Sequence, residues 1–349
     1  MSKTGTQWHE SAAEVPELDE NVLAKLPPGT KVLSIVPHGA SLWVQTVRID
    51  TCLPDGTLKT YFKKGGSGER GRMMMEGTFE SETIFYSFVP KNVPRPIGWG
   101  TYKSDINNHF YICDFRDMIE DLPDIRKFSA LIAKIHSDSM DKSPTGKFGF
   151  HVTTHLANIP NDNSWCNTWE EWYTTAMRRM MELEENSRGS DLELTEISKG
   201  LLEKVIPRLL RPLQTGGRSI KPCLVHSDLW PGNVMPDAET EEPIIFDSCG
   251  FWGHNEADLG TWRSPRYRLG KPYIKEYLKH IPMSAPVEDF DDRNALYAMR
   301  YNLLVSTMNK DGSLAHRQTF MSEAKRLLEK YPNGIDDFED TAPQDPPRL

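Results

Sequence analysis

Apolar and polar residues alternate along Leu42-Trp43-Val44-Gln45-Thr46-Val47-Arg48-Ile49, and Leu58-Lys59-Thr60-Tyr61-Phe62-Lys63 follows the turn Pro54-Asp55-Gly56. This spacing predicts a β-hairpin. Phe110-Tyr111-Ile112-Cys113 predicts the last strand of the same region, and residues 116 to 121 read as its boundary. After Asp124 the period becomes helical, with Phe128, Leu131, Ile132 and Ile135 on one stripe. Thr168 and Glu171 form a capping-box signature for a helix through Met180-Met181, whose Met177, Met180 and Met181 read as adaptable core packing. Leu194, Ile197, Leu201, Leu202, Val205, Ile206 and Leu209 mark a further helix, and others are predicted around residues 289 to 308 and 314 to 330. Gly65-Gly66-Ser67-Gly68-Glu69-Arg70-Gly71-Arg72 has neither Walker nor dinucleotide glycine spacing and reads as a flexible surface linker. The pattern predicts an α+β chain with four segments: an extension over 1–29, a β-rich lobe over 30–116, a larger, mainly helical lobe over 117–332, and an acidic, proline-containing tail over 333–349.

Two short apolar runs interrupt the helical region. Cys223-Leu224-Val225 and Ile244-Ile245-Phe246 read as a hairpin that presents polar residues at one end. Those residues are His226-Ser227-Asp228-Leu229-Trp230-Pro231-Gly232-Asn233, with Asp247 at the end of the second run. Phosphoryl transfer asks a protein for positioning and charge neutralisation around a metal-bound triphosphate. In that chemistry Asp228 accepts or orients the proton of an attacking hydroxyl, while the Asn233 amide oxygen and the Asp247 carboxylate bind Mg²⁺, a hard cation that takes oxygen ligands. Ser, Asp, Pro, Gly and Asn also dominate ordinary turns. The flanking strands weigh against that explanation, as does Gly253-His254-Asn255-Glu256-Ala257-Asp258-Leu259, where a buried Asp258 would hold the loop through its backbone amides. Ser227 stands where a protein kinase carries arginine, and Ser248-Cys249-Gly250 follows Asp247, so a small-molecule acceptor fits better.

The run from His226 to Asn233, with Ile245-Phe246-Asp247 and Gly253 to Leu259, resembles the fructosamine/ketosamine kinase family in its HGDLWxGN, strand-FD and GHxExDLA forms. The likeness covers about residues 30 to 330, taking in Phe148-Gly149-Phe150-His151-Val152, Asn163-Ser164-Trp165, Trp169, Trp172, Arg293-Asn294-Ala295-Leu296-Tyr297 and Tyr301-Asn302-Leu303-Leu304. It implies a protein-kinase-like bilobal fold, like that of aminoglycoside phosphotransferases, with ATP and Mg²⁺ as cofactors. The implied reaction moves the γ-phosphoryl group to the 3-hydroxyl of a fructosamine or ribulosamine, free or on a protein lysine, as a step in deglycation.

The resemblance also assigns residues. Lys63 is similar to the strand lysine that contacts the α- and β-phosphates, and Glu82 to its acidic partner. Gly39, in Pro37-His38-Gly39-Ala40-Ser41, would cover the phosphates with backbone amides, and the backbone of Asp114 and Phe115 would meet adenine. Trp230 would stack on a sugar-like face and His254 would hydrogen-bond a hydroxyl, although each is equally well read as packed core. Trp165, Trp169, Trp172 and Tyr173 read as a helix interface in preference to a binding wall. The chain departs from the pattern at Thr153-Thr154, where Asp-Asn is usual, at Ser227 for glycine, and at Pro231 for a small residue. These changes spare the phosphotransfer residues and keep open a kinase for another hydroxylated amine or aminoglycoside-like compound. A nucleotide-binding pseudokinase is the third reading, opposed by the joint presence of Lys63, Asp228, Asn233 and Asp247.

Composition narrows the partners. A chain of 349 residues with 38% hydrophobic and 26% charged content can bury a large core, and its net charge of −9 offers no basic footprint for nucleic acid or an anionic membrane. Five scattered cysteines without Cys-x-x-Cys spacing argue against a disulfide framework or zinc site and for a reducing, cytoplasmic setting. No run approaches the roughly 18 apolar residues of a membrane span, and no apolar leader opens the chain. The expected substrate is a small molecule or a glycated protein.

Overall fold

The computed structural model describes residues 17–39, 44–264, 268–309, 312 and 314–339. They form two compact units: one holds the described residues up to Met75 with Ile97–Phe115, the other Glu76–Pro96 with the described residues from Arg116 on. The assignment of residues 30–116 to one lobe therefore changes, since residues 76–96 join the second unit.

In the first unit a short helix α1 (Glu20–Leu23) precedes strands β1 (Lys31–Pro37), β2 (Gln45–Cys52) and β3 (Leu58–Ser67). Helix α2 (Gly68–Phe88) then leads to β4 (Pro96–Thr101) and β5 (Asn108–Asp114), and the sheet order is β1-β2-β3-β5-β4. The β2–β3 register runs from Gln45↔Gly65 to Cys52↔Leu58 around a turn where Asp55 Oδ1 accepts from Thr57 N (2.9 Å). Residues 42 and 43 of the predicted first strand lie outside the described residues. One sheet face buries Ile49, Tyr61, Phe110 and Ile112 against Leu18, Val22 and Leu26. Residues 18–26 are thus core of this unit and not an appended extension. Their helix spans four residues, too short to show a period, and is fastened by Asp19, which accepts from Asn21, Lys103 and Ser104 amides.

The glycine-rich run is ordered structure, not a linker. Gly65 to Ser67 finish β3 and Gly68 opens α2 with φ +69°. A Cβ on Gly71 would fall 2.4 Å from the carbonyl carbon of Gly66, so the bare backbones permit the helix to leave the strand at this angle.

The second unit is mainly helical. Its chain continues from the later part of α2 to α3 (Ile125–Ser139), the two-residue strands β6 (His155–Leu156) and β7 (Ile159–Pro160), and α4 (Trp169–Arg188). Asp124 caps α3 by accepting from Arg126 N and Lys127 N, and Thr168 Oγ1 caps α4 by accepting from Glu171 N (3.2 Å). The predicted helix over 194–209 is interrupted: α5 (Leu192–Gly200) passes through a π-turn (Leu201–Val205) into α6 (Ile206–Leu210). Pro207 has no N–H to donate and crowds the carbonyl four residues back, which accounts for the wider turn before it. Next come β8 (Cys223–Val225), β9 (Val234–Pro236), β10 (Pro243–Ile245), β11 (Phe251–Gly253), a 3-10 segment (Asn255–Arg263), α7 (Lys271–Tyr277), α8 (Phe290–Met308) and α9 (Ala315–Lys330). The predicted hairpin does not form as read: β8 pairs with β11, and β9 with β10. Trp169, Trp172, Tyr173, Met177, Met180 and Met181 lie in one buried cluster, with Trp169 stacked on Trp172 at 5.1 Å. The five cysteines are free thiols, and among the described residues no helix is long and apolar enough to cross a membrane.

A linker would tolerate Gly71→Val, whereas the strand-to-helix packing predicts a loss of about 1–3 kcal/mol from the clash with Gly66, measurable by denaturant unfolding of the full chain.

Candidate active site

Strand β8 ends at a loop whose backbone is fixed by one carboxylate. Asp258, on the 3-10 segment and 1% exposed, accepts from His226 N (2.9 Å) and Ser227 N (2.6 Å), and faces His136 Nε2 at 3.0 Å. The 3-10 segment is itself held by Glu256, which accepts from Arg293 of α8 (2.7 Å) and from Ser284 N (2.7 Å). Between the pinned amides the chain turns left-handed, with Ser227 at φ +65°. Burial holds His226 below the ordinary histidine pKa. The neutral ring's partners assign its tautomer: Nδ1 accepts from Asp228 N (3.2 Å) and Nε2 donates to Phe246 O (3.2 Å).

The polar groups of the loop converge. Asn233 Nδ2 donates to Asp228 O (2.9 Å) and Asp228 Oδ2 (2.7 Å), which leaves its amide oxygen directed elsewhere. Burial and the neighbouring Asp247 carboxylate push Asp228 up to about 7, against the pull of the Asn233 amide and the Arg300 guanidinium. Asp247 also has a left-handed backbone, φ +60°. The loop after it is tied to the later part of α2. Ser248 N and Oγ donate to Glu82 Oε1 (2.7 and 2.9 Å), and Gly250 N donates to Ser81 Oγ (3.0 Å). Cys249 N donates to His226 O (3.0 Å), joining this loop to the one bearing Asp228.

This set fits Mg²⁺. Among the described residues no three His, Cys, Asp or Glu side chains converge as a self-sufficient metal cage. Mg²⁺ typically keeps waters and phosphate oxygens and takes only one or two protein oxygens, a demand that the Asn233 amide oxygen and the Asp247 carboxylate would meet. The repulsion felt by Asp228 from Asp247 is the imbalance that a divalent cation relieves.

In the first unit Lys63 and Phe115 already have partners of their own. Strand alternation puts Lys63 on the face of that unit's own core, where its ammonium bonds the Tyr102 hydroxyl and lies 5.0 Å from the ring centroid. Burial lowers its pKa while Asp19 opposes the shift. Lys64 projects from the other face of β3, 7% exposed, beside Tyr111. The Phe115 amide donates to Thr60 O (3.1 Å), and its ring packs on His38 and under Arg48. Asp114 ends β5 and pairs with Lys59 (3.0 Å). Gly39 follows β1 with φ +75°, while Ala40 and Ser41 of the same turn lie outside the described residues.

The two substrate candidates separate. Trp230 is 38% exposed, and its indole covers Gly232, where a Cβ would fall 2.3 Å from the ring. His254 is a packed core residue, 1% exposed, bonded to the Tyr297 hydroxyl (2.9 Å) and Ser284 Oγ (2.8 Å), so it does not face an acceptor. Trp169, Trp172 and Tyr173 are likewise buried. Sequence reading missed Arg300, which donates to Ser227 Oγ (2.8 Å). Its signal was a cation on the apolar stripe of Leu296, Leu303 and Leu304.

A pinned loop that offers a carboxylate beside an amide oxygen and a second carboxylate is the arrangement that kinase-type phosphotransfer calls for. The chain belongs to the fructosamine kinase family, whose model matches residues 44–330. It is 26% identical over 264 residues to the chloroplastic protein-ribulosamine 3-kinase of Oryza sativa subsp. indica, covering 75% of this chain and 72% of the relative. It is 29% identical over 219 residues to the ketosamine-3-kinase of Mus musculus, covering 57% and 67% respectively. In fold it is similar to a putative fructosamine-3-kinase from Haemophilus somnus 129PT (TM-score 0.66, 16% identity, 85% of this chain and 92% of that one). It is also similar to an aminoglycoside phosphotransferase solved in ternary complex with AMP-PNP and hygromycin B (TM-score 0.57, 13% identity, 86% and 94%).

His254 has a pH consequence. Burial lowers its pKa to about 4 from 6.5. The unfolded chain therefore binds the extra proton first, and the stability of the neutral ring is complete above pH 6.5 and lost as pH falls toward 4, by up to about 3 kcal/mol. In denaturant titrations across that window, the stability gap between wild type and His254→Gln is expected to narrow as pH falls.

Proposed function

We propose that the protein transfers the γ-phosphoryl group of ATP to the 3-hydroxyl of a ketosamine, a fructosamine or ribulosamine that is free or carried on a protein lysine. The observation that carries this reading is the Asp228–Asn233–Asp247 set on a loop pinned by Asp258. Bound Mg²⁺ would supply charge neutralisation at the phosphate oxygens. Asn233 Oδ1 and the Asp247 carboxylate would be its ligands. Asp228 receives the hydroxyl proton as the acceptor oxygen bonds to phosphorus and ADP departs. Asn233 keeps the Asp228 carboxylate in one orientation, so the base does not have to be found anew at each turnover. Glu82 fixes the loop after Asp247 through Ser248. For the phosphate contact of the first unit we assign Lys64, because Lys63 is turned into that unit's core. Trp230, two residues after Asp228, offers an exposed indole face to the acceptor sugar.

The family departures at Thr154 and Ser227 do not oppose a ketosamine acceptor. Both side chains are 1% exposed and bond inward, Thr154 with Asn161 and Asn163, Ser227 with Arg300.

Asp228→Asn is expected to lower ATP-dependent turnover of a fructosylamine or ribulosylamine by about 10²–10⁴-fold, as for loss of a general base. Equal turnover by wild type and variant with every acceptor overturns the catalytic role, and no turnover of any ketosamine by wild type overturns the substrate. Lys64→Met is expected to reduce kcat/KM for ATP by about tenfold or more, the worth of one charge-assisted hydrogen bond. Lys63→Met serves as the comparison and is expected to cost stability more than nucleotide use.

A further inference from the structure

The left-handed turn at Ser227 is supported from behind by a residue that phosphotransfer chemistry does not itself demand. Arg300, on α8, is buried, with one guanidinium nitrogen donating to Ser227 Oγ (2.8 Å) and another to Asn161 Oδ1 (2.6 Å). The next residue, Tyr301, donates its hydroxyl to Ser227 O (2.9 Å). Asn161 passes the connection on, donating to Cys249 Sγ (2.8 Å) and Thr154 Oγ1 (3.3 Å). Since Cys249 N donates to His226 O (3.0 Å), the bonds close a buried circuit between the loop bearing Asp228 and the loop following Asp247. The rings of Trp172 and Phe251 flank the guanidinium at 5.8 and 5.9 Å.

Glycine adopts φ +65° without penalty, whereas serine there meets the Cβ crowding of an L-residue and holds the turn only if its surroundings enforce it. The Ser227 hydroxyl rotates freely until a donor selects one rotamer. A planar guanidinium suits this task, because its donors leave at fixed angles and span two acceptors at once. We infer that Arg300 is a positioning residue for phosphotransfer, which acts through Ser227 and Asn161 to hold the loop of Asp228 in register with the loop of Asp247. The inference rests on the proposed reading that these two carboxylates act together.

The test uses the full chain as wild type, Arg300→Met, Arg300→Lys, Ser227→Gly and the Arg300→Met/Ser227→Gly double variant. Amide hydrogen exchange is followed in peptides spanning 223–230 and 247–253, alongside kcat and KM with ATP and a ribulosylamine. Arg300→Met is expected to speed exchange about tenfold in both peptides and leave α9 unchanged, a local opening and not a global one. It is expected to lower kcat about 10- to 100-fold while each KM stays within about threefold, the pattern of a displaced but still binding site. Arg300→Lys, which reaches one acceptor at a time, falls between the two. In the Ser227→Gly background the loss caused by Arg300→Met shrinks by about fivefold or more, because glycine holds the turn unaided.

Unchanged exchange and kcat in Arg300→Met, equal losses in both backgrounds, or faster exchange throughout the second unit would each overturn the inference. Should Arg300→Met not fold, Arg300→Lys alone and with Ser227→Gly carries the same comparison. A wild type that phosphorylates no acceptor refutes the proposed function, while the exchange data still decide the role of Arg300.

Discussion

Two consecutive backbone amides, those of His226 and Ser227, end on the two oxygens of one buried carboxylate, Asp258. An ionised carboxylate is an acceptor only, and burying it is costly unless its lone pairs are used. Three donors can use them, the third being His136. Hydrogen bonds to a charged group are worth about 1.5–3 kcal/mol each. A left-handed non-glycine residue costs about 1–2 kcal/mol. The two amide bonds offset that cost in the backbone, and the bond from Arg300 to Ser227 Oγ adds a hold on the side chain at the same turn.

The position of Asp247 depends on a second anchor of the same kind. Glu82 on α2 accepts from the Ser248 amide and hydroxyl, and Ser81 receives the Gly250 amide. Each of the two loops is thus anchored by a buried carboxylate, one on a 3-10 segment and one on a helix. The bond from Cys249 N to His226 O then ties the two loops to each other. Such double anchoring suits a reaction in which geometry and charge supply most of the rate and the protein forms no bond to the substrate.

The chemistry was legible in the sequence because it depends on residue type at fixed spacing: Asp228, Asn233 and Asp247 are close in the chain, and the capped helices α3 and α4 announce themselves through Asp124 and Thr168. What was illegible was phase and pairing. Tyr61 and Phe62 give both faces of β3 an aromatic residue, so alternation alone did not say whether Lys63 or Lys64 turns toward the core. Three-residue strands carry no register, which is why β8 and β10 looked like partners. Gly65 to Gly71 looked like a linker because composition does not distinguish flexible backbone from backbone packed too closely for a Cβ. His254 and Arg300 are polar residues whose partners lie elsewhere in the chain, at Tyr297 and Ser284, and at Ser227 and Asn161.

The most direct test of the central claim is ³¹P NMR of the full chain acting on a ribulosylamine with Mg²⁺ and ATP. The account predicts that each ADP formed is matched by one phosphomonoester on the third carbon of the acceptor. ADP release with no phosphorylated acceptor, or a phosphate carried at another carbon, would contradict it.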